Sequence, residues 1–181
     1  MDEEKNNNLV WIDLEMTGLN VDVDLIIEIA VIITDRNLNI VSESPVIAIN
    51  QPKDVLDSMN DWCKKTHSEN GLIQRVKDSC YTTESAEKAI ISFIKDYVNI
   101  GSSPLCGNTV YQDRKFLSKY MPELESYFHY RLLDVSTLKI LAESWYPSVY
   151  ARLDKKNTHL ALDDIRESIE ELRYYRKELF K

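Results

Sequence analysis

Cysteine is scarce in this chain: Cys63, Cys80 and Cys106 are the three in 181 residues, far apart and with no C-x-x-C pair. That number and spacing exclude a disulfide framework and a zinc knuckle and fit reduced thiols, so the expected compartment is the cytoplasm. Also missing is any apolar run long enough to span a bilayer, and the polar, acidic start Met1-Asp2-Glu3-Glu4-Lys5 has neither region of a signal peptide. No membrane partner is expected. Positive charge is short as well. The 22 Lys and Arg against 30 Asp and Glu leave a formal net charge of -8, which argues against a broad basic face gripping long duplexes. An acidic total still admits a short anionic substrate if bound cations neutralise the acids locally. No internal repeat, low-complexity tract or linker interrupts the chain. Residues 1–181 are therefore expected to form a single domain, with 44% hydrophobic residues to supply its core.

What is present is organised around Val10-Trp11-Ile12-Asp13-Leu14-Glu15-Met16-Thr17-Gly18. This is a strand-like apolar run that ends in a turn signal and holds two carboxylates. Side chains alternate along a strand, so Asp13 and Glu15 share one face while Val10, Ile12 and Leu14 pack on the other. Like charges this close push a pKa up unless solvent or cations compensate. A solvated strand end and a metal-binding strand both remain open on these residues alone.

Residues 25–34 form a long, β-branched run expected to be a buried central strand. Glu28 interrupts it, either as a third active-site acid or as the structural partner of a basic group. Residues 38–50 continue the sheet around Pro45, suggesting an antiparallel meander. Residues 52–78 break into short helical pieces that form a plausible rim over a site. There Trp62 and His67 read as a satellite core residue and a surface histidine. Thr82 or Thr83 caps a helix with Ala86, Ile90, Phe93, Ile94 and Tyr97 on its apolar side, ended by Gly101.

A short strand at Pro104-Leu105-Cys106-Gly107-Asn108 leads to a helix over residues 112–120 with Asp113 in its first turn, and Leu132-Leu133-Asp134-Val135 leads to a second over 136–145. Residues 147–157 make a basic loop with Arg152, Lys155 and Lys156. The last helix, about 160–180, buries Ile165, Ile169, Leu172, Tyr175 and Leu179, with Asp163 and Asp164 in its first turn. For Asp113, Asp163 and Asp164 the plain role is to complement a helix dipole. Strands first, then strand–helix alternation, imply an α/β fold with a mixed central sheet and helices on both faces.

As an ordered set, Asp13-x-Glu15, a later Asp113, then His159-x-x-x-x-Asp164 resembles the DEDDh family of 3′-to-5′ exonucleases, which share the ribonuclease H-like exonuclease fold. The likeness extends to Trp-Ile-Asp-Leu-Glu-Met-Thr-Gly-Leu (11–19), Cys-Gly-Asn (106–108), Gln-Asp-Arg (112–114), Tyr-Met-Pro-Glu-Leu-Glu (120–125), Tyr-Phe-His-Tyr-Arg (127–131), Leu-Asp-Val-Ser-Thr-Leu-Lys (133–139) and Asp-Asp-Ile-Arg-Glu-Ser (163–168). These blocks resemble the oligoribonuclease family. The resemblance implies a metal-dependent 3′-to-5′ exoribonuclease acting on very short RNA, dinucleotides especially, as a homodimer.

The same resemblance implies that Asp13, Glu15 and Asp164 hold one Mg²⁺ or Mn²⁺. Asp13 then bridges to a second ion, which Asp113 supports, and His159 is the general base. It implies substrate contacts at Met16, Thr17, Gly18, Leu19, Trp62, His67, Asn108 and Gln112. Leu19 serves as an apolar wedge between two bases. Thr109, Arg131 and Ser136 cap the terminal 5′ phosphate, and Tyr130 reaches that cap from the second subunit. Departures are Thr109 for a usual serine, Val110-Tyr111 for Ile-Gly, and Cys63 for Asn beside Trp62, and the bulkier Tyr111 is expected to narrow the site. Two competing readings are an exonuclease of the same chemistry on longer DNA and a nucleic-acid-binding module without chemistry. The first needs a basic track that the chain lacks, and the second leaves the complete acid set without a use.

Overall fold

The computed structural model describes residues 2–151 and 160–180. A short helix, α1 (Asp2–Asn7), precedes β1 (Leu9–Met16), β2 (Ile26–Thr34), β3 (Ile40–Glu43) and β4 (Ile47–Ala48). The rim follows as α2 (Lys53–Ser58), α3 (Asp61–Glu69) and α4 (Leu72–Asp78), then α5 (Thr83–Ile94). The second half alternates: β5 (Leu105–Gly107), α6 (Tyr111–Tyr120), α7 (Pro122–Ser126), β6 (Leu132–Asp134), α8 (Val135–Trp145), α9 (Pro147–Tyr150) and α10 (Ala161–Leu179).

The sheet runs β3-β2-β1-β5-β6, with β4 also on β2. β1, β2 and β3 are antiparallel, whereas β5 and β6 add in parallel. The expected antiparallel meander is present, but its third member, residues 38–50, is divided at Pro45 into two short strands, which pair with successive stretches of β2. Every residue of β2 is buried, as its unbroken β-branched run demands.

Alternation on β1 assigns the two faces. Val10, Ile12 and Leu14 pack with Ala86, Ile90 and Ile94 of α5, Phe116 and Leu117 of α6, and Leu124 of α7. Trp11 turns the other way, among Ala142 of α8 and Ala161, Ile165, Ile169 and Tyr175 of α10. Asp13 and Glu15 share parity with Trp11. They therefore point toward the side that α10 covers. Each fully buried aliphatic side chain in these layers contributes about 1.5–3 kcal/mol relative to exposure.

Some boundaries differ from the sequence pattern. α5 begins where expected, at a Thr82 cap completed by Ser85 in a capping box, but ends at Ile94. Tyr97 thus lies beyond the helix, and its hydrophobic contact is made from a turn. Glu87 is buried, and its Oε1 accepts the Leu124 N–H at 3.0 Å. Part of the expected 147–157 loop is helical as α9, while Arg152, Lys155 and Lys156 lie outside the described residues. No helix among the described residues is long and apolar enough to cross a membrane.

Candidate active site

β1 ends at a bulge between Glu15 and Met16, a local irregularity of the kind that re-aims side chains at a strand end. Asp164 is delivered from the first turn of α10, whose Leu160 carbonyl accepts the Asp163 and Asp164 N–H groups. One carboxylate oxygen from each of Asp13, Glu15 and Asp164 lies within 4.8 Å of the others. The neighbouring Asp163 is engaged elsewhere. It pairs with Arg166 at 2.9 Å, and Arg166 reaches on to Glu43 of β3. Asp113 enters from α6 on the opposite side of the sheet, 7% exposed, with Oδ1 accepting the Leu14 N–H at 3.1 Å.

Asp13, Glu15 and Asp113 are held above their ordinary range. Burial is the main cause for Asp13, followed by repulsion from Asp113, Glu15 and Asp164. Burial, then Asp164 and Glu28, push Glu15 up to about 8. Burial, helped by repulsion from Asp134, takes Asp113 up to about 7 against two backbone hydrogen bonds that favour its charge. Glu28 is the cross-strand partner of Glu15 and is 1% exposed. Of its two sequence readings the structure selects the structural one, because Arg75 donates to its Oε2 through Nε at 3.2 Å and Nη2 at 2.8 Å. Arg75 also lowers Glu15, and it is already committed to Glu28. The donor set fits a hard divalent cation: three convergent carboxylates favour the protonated state until positive charge is supplied.

Beside the acids lies a cavity of about 390 Å³ lined by Leu14, Glu15, Met16, Gly18, Leu19, Asn60, Trp62, Cys63 and His67. Leu19 is 74% and Trp62 57% exposed, so Trp62 is not the satellite core residue its type suggested. Nor is His67 at the surface. It is 1% exposed, and its Nε2 donates to the Met16 carbonyl at 3.2 Å, which ties α3 to the end of β1. Five positions along α3 separate two functions: one ring open to the cavity, the other holding its wall.

A second cluster forms where β5 turns into α6. Thr109 has φ of 54°, a left-handed conformation that is costly for a β-branched residue. It is held there by its N–H, which donates to Asp134 Oδ1 at 2.9 Å and Ser136 Oγ at 2.8 Å. The Thr109 and Ser136 hydroxyls stand 2.9 Å apart. Ser136 Oγ also donates to Asn108 Oδ1 at 3.2 Å, and Asn108 Nδ2 donates to Ser168 Oγ at 2.8 Å and Glu171 Oε2 at 3.1 Å on α10.

Residues 10–172 match the exonuclease family model, RNase T. The chain is 60% identical over 174 residues to the oligoribonuclease of Haemophilus influenzae strain PittGG, covering 96% of each chain. It is 62% identical over 170 residues to that of Pasteurella multocida strain Pm70, covering 94% of this chain and 92% of that one. The chain belongs to the oligoribonuclease family. Its fold matches that of E. coli exonuclease I, solved in a zinc-bound complex with single-stranded DNA, with a TM-score of 0.74 at 12% identity. The match covers 96% of this chain and 41% of the exonuclease I chain.

Against the oligoribonuclease pattern the departures have local explanations. Thr109 keeps the hydroxyl next to Ser136, and Val110 is a buried core residue. The Tyr111 ring is 49% exposed under the Lys115 ammonium and, among the described residues, does not line the cavity it was expected to narrow. Tyr130 is 72% exposed, and its OH accepts from Arg131 Nε at 3.1 Å. Sequence reasoning missed the residue that holds this segment. Arg114 donates to the His129 and Tyr130 carbonyls at 3.2 and 2.9 Å while paired with Glu125, and an arginine next to a functional acid was the available signal. His159 lies outside the described residues.

Proposed function

We propose that this chain, as a single domain acting in a homodimer, hydrolyses very short oligoribonucleotides, dinucleotides above all, to mononucleotides in the cytoplasm. Family membership makes it a 3′-to-5′ exoribonuclease. The observation that carries the finer reading is the convergence of Asp13, Glu15 and Asp164 beside a cavity presenting Leu19 and Trp62. Those three acids would hold one Mg²⁺ or Mn²⁺, and Asp13 would share a second ion supported by Asp113. When bound, such cations favour ionisation of the attacking water and offset charge developing on the phosphate and the leaving 3′ oxygen.

The chain's own residues do the rest. His159, five positions before Asp164, accepts the proton of the attacking water. Leu19 enters between the two bases and Trp62 offers a ring to one of them, while Met16, Thr17, Gly18 and His67 form the wall. Asn108 and Gln112 contact the substrate from the α6 side. Thr109, Ser136 and Arg131 bind the terminal 5′ phosphate, Arg131 through paired charge-assisted hydrogen bonds. The exposed Tyr130 closes that cap from the partner subunit. A longer RNA has no terminal phosphate at this distance from its 3′ end, so it forfeits those bonds and collides with the cap.

The test is a length series. End-labelled RNA and DNA of two to ten nucleotides is incubated with the purified protein in Mg²⁺, Mn²⁺ or EDTA. Rapid loss of the RNA dinucleotide, slow loss of longer RNA and no loss in EDTA are expected. Equal rates at two and ten nucleotides would overturn the cap. Preference for long DNA would favour the competing exonuclease reading.

A further inference from the structure

Leu19 sits on the segment joining β1 to β2, residues 17–25, and a wedge is useful only if the loop that presents it resists the push of the bases. The loop has an internal brace. Asp24 Oδ1 accepts from Thr17 Oγ1 at 3.0 Å and Oδ2 from the Asn20 N–H at 2.9 Å, so one carboxylate spans both flanks of Gly18-Leu19. Thr17 Oγ1 in turn accepts the Leu25 N–H at 3.0 Å, and the Thr17 N–H donates to the Leu25 carbonyl, closing the base of the loop. Gly18 is what admits the brace: a Cβ there would lie 2.5 Å from Asp24 Oδ2. Outside, three side chains of α6 hold the loop. Gln112 donates to the Leu19 carbonyl at 2.7 Å, and Lys119 and the Tyr120 hydroxyl donate to the Val21 carbonyl at 2.9 and 2.8 Å. The same helix carries Asp113, so the wedge is referenced to the acid site.

We infer that Asp24 is a positioning residue that sets the Leu19 wedge, and through it the fit of the two bases of a dinucleotide. This rests on the reading of Leu19 as that wedge. An ionised carboxylate can accept from Thr17 and Asn20 at once. An asparagine at position 24 keeps the shape but has a single acceptor oxygen, so one of the two donors loses its partner. The wedge then has slack at one flank.

The experiment is a double-mutant cycle of Asp24→Asn and Leu19→Ala. Its substrates are a 5′-phosphorylated RNA dinucleotide and the same dinucleotide with an abasic 5′ nucleotide, which leaves nothing to separate. Asp24→Asn is expected to raise KM for the intact dinucleotide by about five- to ten-fold, the loss of roughly one hydrogen bond. It should leave the abasic substrate unaffected and add nothing to Leu19→Ala. Additive losses, or equal damage on the abasic substrate, would overturn the positioning role while leaving the wedge intact. No effect of Leu19→Ala on the intact dinucleotide would overturn the wedge itself. If Asp24→Asn melts below the assay temperature, Tyr120→Phe, which removes one of the three outer struts and leaves Gln112 and Lys119, is put through the same cycle. A smaller KM effect with the same non-additivity is expected, and additivity overturns the role.

Discussion

On the proposed function, the acid end of β1 and the hydroxyl cluster after β5 handle one anionic substrate in opposite ways. At the first, Asp13, Glu15 and Asp164 are half-buried beside the buried Asp113, and desolvation and repulsion hold Asp13, Glu15 and Asp113 above their ordinary range. At the second, Thr109, Asn108 and Ser136 are neutral, and hydrogen bonds run from one to the next and on to Ser168 and Glu171 of α10. The acid end is electrostatically incomplete without cations. The hydroxyl end is already organised, at the cost of one strained backbone. The comparison teaches that the chemistry should depend on what is added, whereas selection of the substrate's other end should depend on what is preformed.

The largest effects should fall at the acids. Asp13→Ala is expected to abolish hydrolysis of a dinucleotide in Mg²⁺ while the circular dichroism spectrum stays native. Cleavage at the wild-type rate would end the metal-ligand assignment. His159→Ala should lower kcat by roughly 10²–10⁴-fold with substrate binding nearly intact, the range for a positioned general base. Unchanged kcat, or a loss traced to unfolding, eliminates that role.

At the other end the effect should be on selection. Arg131→Ala is expected to remove most of the preference, about ten-fold or more, for a 5′-phosphorylated dinucleotide over its unphosphorylated form. Sedimentation should show two chains per particle. A fully active monomer would rule out Tyr130 acting from the partner.

Smaller, and distinct in sign, is the pH dependence of stability. Glu15 moves from 4.5 to about 8 and Asp113 from 3.8 to about 7 on folding. Below pH 4 both states carry the protons. Between about 4.5 and 8 the unfolded chain has released protons that the native state still binds, so stability is lost as pH rises through that window. The metal-free protein should therefore melt at a lower temperature at pH 8 than at pH 5. Added Mn²⁺ should raise the melting temperature more at pH 8, because binding needs the ionised carboxylates. A metal-free melting temperature that rises over this interval would contradict the incomplete acid end. The smallest effect is at Thr109: serine keeps the hydroxyl and removes the β-branch from the left-handed backbone. Thr109→Ser should raise the melting temperature by about 1–3 °C, and a fall would show that the threonine methyl contributes more than its strain costs.

Much of the fold was legible because its signals are local. Alternation put Asp13 and Glu15 opposite Val10, Ile12 and Leu14, and the apolar run of β2 announced its burial. The helix after Thr82 was readable from its cap, although the pattern overran its end at Ile94, where turns take over and still deliver Tyr97 to the core. The family's acids were legible as an ordered set. That set, through His159-x-x-x-x-Asp164, picks out Asp164; local rules alone do not, since Asp163 and Asp164 are equivalent to any rule about helix dipoles.

By itself, the sequence determined which carboxylates exist, on which elements they lie, and to which family the chain belongs, since these follow from identity, order and periodicity. Only the tertiary structure decided that Asp163 turns to Arg166 and that Glu28 is paired with Arg75. It also decided that His67 is walled in while Trp62 is open, and that Asp24 lies inside the loop carrying Leu19. The reason is that charge, hydrogen-bond partners and desolvation are set by neighbours distant in the chain. A residue's type states what it can do, and its surroundings select which of those things it does.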